Sequence, residues 1–379
     1  MTSIISKMYA PNVNDNVNDN VNDSEFSEVA EELQPISVVL ETTFQCNMRC
    51  AHCGTSCGEK KANELSLEEH YKLANDLVYL GIKDIFLSGG EALLHPDWKK
   101  IASYYADKGV RVVLLSNGLL IPKKIDELKD SPIDQIGISI DGTRETHDRI
   151  RKVKGSYDTA LKAVELLNKN TKIMPSIITT VSKWNIKEIE SLYQIFSDHG
   201  CKLWQLQRVF PMGRMEKDFI LDYADVLYLH QFIHQKRQLK NANAIANANV
   251  MEVTGACDTT PFSQYKTKAI VDDYFGCPAG LLCLGIEADG GVKGCLTQSK
   301  DFIEGNIRER SIIDIWRDPN TFTYNRYFHQ EHVKRGCKGC AHLEDCRCGC
   351  TIQAYAETGD RYDQIYCLHS SYFQEFLNK

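Results

Sequence analysis

Residues 45 to 54 read QCNMRCAHCG, and a fourth cysteine follows at Cys57. Four thiols this close together suit three kinds of chemistry: a structural zinc knot, a redox pair with spare thiols, or the anchor of an iron–sulfur cluster. Cys46, Cys50 and Cys53 follow a C-x3-C-x2-C spacing within one continuous loop. Zinc sites usually draw ligand pairs from two knuckles separated by a longer loop. A [4Fe-4S] cluster held by only three thiolates leaves one iron open, as catalytic metal sites do.

The chain of 379 residues carries fifteen cysteines. Four lie between positions 46 and 57, nine between 277 and 367, and Cys201 and Cys257 fall between. The start MTSIISKMYAPNVND has no apolar run followed by a small-residue cleavage site, and no stretch approaches the roughly 18 apolar residues of a membrane span. A cytoplasmic location is expected, where disulfides are disfavoured and so many cysteines argue for metal, cluster or redox chemistry. The net charge of −7 gives no general attraction to nucleic acid or anionic membranes, so neither is expected as a partner. A small-molecule or peptide substrate fits better.

Stepping along the chain, NVNDNVNDNVND is too polar to form a core, and residues 1–34 read as a disordered low-complexity tail. From Pro35 onward strand and helix patterns alternate. ISVVLETT is β-branched and apolar, and LSLEEHYKLANDLVYLG has Ser66 and Glu69 at capping-box spacing with Gly81 as its stop. Five more strand patterns follow: DIFLSGG, VRVVLLSNG, IDQIGISIDG, KIMPSIITTV and CKLWQLQRVF. Helical patterns follow each of the first five strands, which implies a parallel sheet wound one way. The expected fold class is α/β, a partial (β/α)6 TIM-like barrel over 35–215, since six units are too few to close an eight-fold barrel. A helical bridge over 216–275 and a cysteine-rich module over 276–379 complete the expected organisation. Ligands of such sheets gather at the carboxyl ends of the strands. There stand the cysteine loop, SGGE, SNG and SIDG, after strands one to four.

With CNMRCAHC after strand one, GGE after strand two, and SIDGTRETHDRIR after strand four, the chain resembles the radical SAM family. The resemblance implies that Cys46, Cys50 and Cys53 are the catalytic cluster ligands, with His52 in the usual aromatic position beside them. The open iron would chelate S-adenosylmethionine, whose cleavage gives a 5′-deoxyadenosyl radical. Gly89, Gly90 and Glu91 would receive the methionine amino group. Ser139 and Arg151 match positions that contact its carboxylate, and Asn117 and Asp141 lie near the expected cofactor site. Cys57 departs from the three-ligand pattern and reads as a spare thiol, because a fourth ligand would block SAM.

The later cysteines run Cys277-x5-Cys283-x11-Cys295, with Gly290 five residues before Cys295. CKGCAHLEDCRCGC then gives Cys337, Cys340, Cys346 and Cys350, and Cys367 follows. This resembles the SPASM pattern, with a zinc-ribbon module as the alternative. By that resemblance one auxiliary [4Fe-4S] cluster takes Cys277, Cys283, Cys295 and Cys350, and a second takes Cys337, Cys340, Cys346 and Cys367. Cys348 has no role in the pattern. With all eight ligands present, the auxiliary clusters suit electron transfer rather than substrate ligation.

Enzymes with this layout mostly modify ribosomally made peptides, so the resemblance implies a RiPP maturase acting on a precursor peptide. The leading outcome is a splicease that excises tyramine to leave an α-keto-β-amino acid; thioether or carbon–carbon crosslinking and epimerisation are the others. Sulfatase-maturing members carry an aspartate after the third module cysteine, where this chain has Leu296. The short segment before strand one leaves no room for a leader-binding domain, so a separate leader-peptide-binding protein is expected. An electron donor such as flavodoxin or ferredoxin is expected too. The alternatives are a radical SAM dehydrogenase or epimerase of a sugar or aminocyclitol, and a non-catalytic iron–sulfur electron carrier, which would need neither GGE nor SIDG.

The eleven assigned cysteines predict three clusters and about twelve irons per chain after anaerobic reconstitution. Replacing Cys46, Cys50 and Cys53 together by Ala should leave about eight irons and abolish SAM cleavage, as read by iron assay and by 5′-deoxyadenosine release.

Overall fold

The computed structural model describes residues 33–244, 250–256 and 276–377. All but the end of the expected N-terminal tail, half of the polar stretch NANAIANANV at 241–250, and the end of the expected bridge, 257–275 with Cys257, lie outside the described residues.

The six expected strands are β1 (Ser37–Glu41), β2 (Asp84–Ser88), β3 (Arg111–Ser116), β4 (Gln135–Ser139), β5 (Met174–Val181) and β6 (Leu203–Arg208). Each pairs in parallel with the next. The crossovers are α1 (Leu67–Tyr79), α2 (Trp98–Ala106), α3 (Ile121–Lys129), α4 (Arg144–Arg151) with α5 (Ser156–Asn170), and α6 (Ile189–Asp198). Alternation fixes which face each strand turns to the helices. Ile85 and Leu87, Ile136 and Ile138, and Trp204 and Leu206 are fully buried, while Phe86, Gln205 and Gln207 between them remain half-buried on the opposite face. The start of α1 carries the expected capping box: the Glu69 amide donates to Ser66 Oγ, and the Ser66 amide donates to the Glu69 carboxylate at 2.8 Å.

The sheet does not stop at six strands. After α7 (Tyr223–Ala244), β7 (Glu252–Gly255) adds in parallel to β6. At the other side β8 (Cys283–Ile286) adds in parallel to β1, followed by the antiparallel strands β9 (Gly291–Lys293) and β10 (Gly305–Asn306). Among the described residues the order is β10-β9-β8-β1-β2-β3-β4-β5-β6-β7. The sequence expectation of six strands therefore missed four, of which β7 and β8 extend the parallel part of the sheet. Both are four residues long, and β8 is hidden inside the cysteine spacing.

The pairing of β8 with β1 merges much of the cysteine-rich segment into the barrel. Leu284, Ile286, Val292, Ile315 and Trp316 share one apolar core with Val38 and Leu40. Trp316, in α8 (Ile312–Arg317), also donates its indole N–H to the Leu33 carbonyl at 2.9 Å. Arg308 grips Glu69 through two nitrogens, at 2.5 and 3.0 Å, clasping the segment after β10 onto α1. Only further along does the core thin: the separate apolar cluster there consists of Phe328, Cys337 and Cys348, with Val333, Leu343 and Tyr362 packed against it. The thin apolar interior is therefore confined to that last stretch and is not a property of the whole module. No helix among the described residues is long and apolar enough to cross a membrane.

Ending the chain at residue 275 removes β8 and leaves the β1 edge without its partner, an invitation to edge-to-edge association. The truncated protein should aggregate, eluting in the void volume in size-exclusion chromatography, rather than behave as a free-standing barrel.

Candidate active site

The loop between β1 and α1 is held from three sides at the carboxyl ends of the strands. The Cys46 amide donates to the Gly58 carbonyl and the Gly58 amide to the Phe44 carbonyl, at 2.8 and 3.1 Å, so the loop closes on itself. From the end of β2, the amides of Gly90 and Glu91 donate to the carbonyls of Thr43 and Gln45. Gly89, at φ +154, and Gly90 lie so close to that chain that a Cβ on either would collide with the Thr43 or Gln45 carbonyl. After β6, Arg214 donates to the carbonyls of Cys50 and Cys57, at 2.8 and 3.1 Å, and a Cβ on Gly213 would strike the Cys53 carbonyl. The sequence reading missed Gly213 and Arg214; their position just past a strand end is the signal that flags them.

Three cysteines, Cys46, Cys50 and Cys53, come together in this loop with their thiols in mutual electrostatic reach. Burial pushes the Cys46 thiol up to about 11 and raises Cys50 as well, where Arg151 opposes the effect. The hydrogen bond shared by Cys53 and Cys57 lowers the first and raises the second. Cys57 also bonds Thr55 at 2.9 Å.

Beside the thiols lies a charged cluster. Asp141, with no exposed surface, accepts from Arg151 at 2.5 Å and from His52 Nε2 at 2.7 Å through one oxygen, and from the Thr180 amide at 2.9 Å through the other. Burial opposes the aspartate charge, but Arg151 and His52 outweigh it and hold the carboxyl well below its ordinary range. Arg151 also reaches the Cys50 sulfur at 3.8 Å. His52 is thus a hydrogen-bond partner of a buried carboxylate, a role its aromatic character did not suggest.

Glu91 is buried, with 1% of its surface exposed. Its carboxylate accepts from Ser116 Oγ at 2.9 Å, from the Asn117 amide at 2.8 Å and from the Leu93 amide at 3.3 Å, tying the end of β2 to the SNG turn after β3. Asn117 in turn donates to Asn47 in the cysteine loop at 2.7 Å. Burial raises the Glu91 pKa, against those three donors. Ser139 closes β4, half-buried, at the same edge of the sheet.

The later cysteines gather in two sets. The Cys283 thiol is in electrostatic reach of Cys295, Cys277 and Cys350, and Cys277 shares a hydrogen bond with Cys350. Cys346 is in reach of Cys367, Cys337 and Cys340. Burial raises Cys283 and Cys346 strongly and Cys367 to about 12. Thiols this buried stay protonated unless a cationic metal group binds their ionised form, so the donor sets suit iron–sulfur ligation. Among the described residues no group of three or more His, Cys, Asp or Glu is arranged to hold one metal ion. A lone zinc, with bonds of about 2.3 Å, needs its sulfurs about 3.8 Å apart.

Between the cysteine loop and the second module lies a cavity of about 480 Å³. Gly54 and Thr55 line it beside Cys53, Met212 and Gly213 come from the loop after β6, and Lys293, Gln298 and Tyr355 come from the second module.

Residues 40–196 match the family model of the radical SAM superfamily, and residues 277–341 match that of SPASM, an iron–sulfur cluster-binding domain. The AdoMet-dependent heme synthase of Methanosarcina barkeri is 31% identical over 344 residues, covering 88% of this chain and 97% of that protein. The antilisterial bacteriocin subtilosin biosynthesis protein AlbA of Bacillus subtilis is 28% identical over 75% of this chain and 60% of its own length. In fold, Streptococcus suis SuiB, solved with its precursor peptide SuiA, superposes with a TM-score of 0.70 at 17% identity, over 96% of this chain and 83% of that one.

The Asp141 cluster generates a prediction. Asp141→Asn leaves Arg151 buried without its counter-charge, and breaking such a pair costs about 3–5 kcal/mol. Urea unfolding of the variant should show a loss of that size. Because the folded carboxyl titrates below the ordinary aspartate value, its contribution to stability in the native protein is complete above about pH 3.9 and disappears as the pH falls through the lower folded value.

Proposed function

The chain belongs to the radical SAM superfamily and carries a SPASM iron–sulfur domain, and from that premise we propose that this enzyme modifies a ribosomally made precursor peptide. When bound, SAM and the cluster supply a 5′-deoxyadenosyl radical able to abstract hydrogen. In this reading Cys46, Cys50 and Cys53 hold the cluster, and Arg151, fixed by Asp141, keeps a positive charge beside Cys50. Gly89, Gly90 and Glu91, with Asn117 and Ser139, border the SAM site. Glu91 has a second task, since it also fixes the SNG turn, so Glu91→Gln is expected to loosen SAM binding and the turn together. The two later quartets, Cys277, Cys283, Cys295 and Cys350, and Cys337, Cys340, Cys346 and Cys367, hold the auxiliary clusters.

The observation that carries the peptide reading is the cavity beside Cys53. Its volume falls within the range of small-ligand sites, and its wall mixes Lys61, Lys293 and Lys300 with Glu41 and Glu287. Lys293 is already paired with Glu287 at 2.6 Å, so little positive charge is left over for a polyanion. A peptide segment, with its alternating donors and acceptors, matches such a wall. The bacteriocin-pathway relative and the peptide-bound SuiB fold support the same reading. Tyramine excision remains the leading outcome, with a separate leader-binding protein and a flavodoxin-like or ferredoxin-like donor as partners. A second reading, heme formation from an iron porphyrin, is favoured by one observation: the heme synthase aligns over nearly its whole length.

Anaerobic incubation of the reconstituted enzyme with SAM, reductant and either a neighbouring precursor peptide or an iron porphyrin precursor separates the two. The expected result is a modified peptide with 5′-deoxyadenosine released: its mass falls by tyramine for excision, by two hydrogens for crosslinking, and is unaltered for epimerisation. Heme formation, seen by absorbance, with an inert peptide would replace the peptide reading by the porphyrin one.

A further inference from the structure

The second thiol quartet has a fifth member. Cys348 lines one cavity together with Cys337, Cys340, Cys346 and Cys367, and Cys350 of the other quartet reaches the same cavity. It is 2% exposed, and its thiol is hydrogen-bonded to that of Cys337. The backbone goes out of its way to put it there. Arg347, Cys348 and Gly349 have φ of 49°, 65° and 67°, three left-handed residues in succession, a conformation that glycine takes freely and other residues only at a cost. A glycine at 348 would satisfy the turn without that cost, so the thiol is what this residue adds.

The turn also divides its cysteines. Cys346 faces Cys337, Cys340 and Cys367, whereas Cys350 faces Cys277 and Cys283 in the other quartet. Cys348 falls between them in sequence and on the Cys337 side in space. Phe328, Val333, Leu343 and Tyr362 pack around the Cys337–Cys348 pair and keep water away from it. A sulfur within hydrogen-bond reach of a ligand sulfur, in a dry pocket, needs only a side-chain rotation to take the same metal.

We propose that Cys348 is an alternative thiolate ligand for the metal position assigned to Cys337, making the C-terminal quartet a five-thiol site with one exchangeable ligand. Exchange moves one proton from the Cys348 thiol to the departing Cys337 thiolate and leaves every oxidation state unchanged. The proposal rests on the reading of Cys337, Cys340, Cys346 and Cys367 as cluster ligands.

The test compares iron content of anaerobically reconstituted full-length variants. Cys340→Ala should lose about four irons, Cys337→Ala should keep its full complement, and Cys337→Ala with Cys348→Ala should lose about four. Loss of iron in Cys337→Ala alone overturns the proposal, and so does retention in the double variant. Full iron in both Cys340→Ala and Cys346→Ala overturns the quartet assignment itself and takes the proposal with it. If Cys337→Ala fails to fold, Cys337→Ser keeps the shape of the site, and electron paramagnetic resonance of the reduced protein decides. A signal that changes when Cys348→Ala is added supports the exchangeable ligand, and one indifferent to Cys348 rejects it.

Discussion

One buried carboxylate organises this protein's chemistry. Asp141 has no contact with water, yet two cationic or donating side chains and a backbone amide meet it from three different segments: Arg151 at the end of α4, His52 in the cysteine loop and Thr180 in β5. A charge in such a place is tolerable only if it is fully paired, so its partners are locked in position along with it. The cysteine loop is one of those partners. Without the pairing, the loop after β1 loses its anchor to β4 and β5, and Arg151 loses what points it at Cys50.

Backbone fit completes what the charge begins. Gly89 and Gly90 after β2 and Gly213 after β6 let two chain segments touch the cysteine loop more closely than any side chain would allow. Glu91 and Arg214 then use carboxylate and guanidinium to satisfy backbone and hydroxyl groups at that junction. The same edge of the sheet is thereby assembled twice, sterically by glycines and electrostatically by charges. This leaves few ways for the thiols to sit.

The second module is two things in one stretch of chain. Its first part is barrel: β8 extends the sheet from β1 and its side chains enter the common core. Its last part has almost no apolar interior and is organised around thiols. The cavity thus lies at a boundary between a region stabilised by hydrophobic burial and one with little apolar interior, where the later thiols gather. Prying the two apart would cost the sheet an interior strand pair.

Local patterning was enough to read the six strands, their helices, the capping box of Ser66 and Glu69 and the clustering of motifs at the strand ends, because each is encoded within a few residues of chain. The division of the later thiols into two sets came from the resemblance to the SPASM pattern, and the fold brings the members of each set together. What the sequence could not disclose are the contacts between residues far apart in it. The pairing of β8 with β1 joins segments more than 240 residues apart, and β8 is a four-residue strand too short to carry a periodicity of its own. His52 reads as an aromatic neighbour until a carboxylate 89 positions away makes it a hydrogen-bond partner. Glu91 reads as a ligand-facing acid, whereas burial also makes it the tie between two strand ends. Cys348 has no role in the sequence pattern until three left-handed residues place its thiol against Cys337. Residue type and spacing determined which groups could do chemistry here; burial and long-range packing, which set charge, hydrogen-bond partners and reach, decided what each group meets.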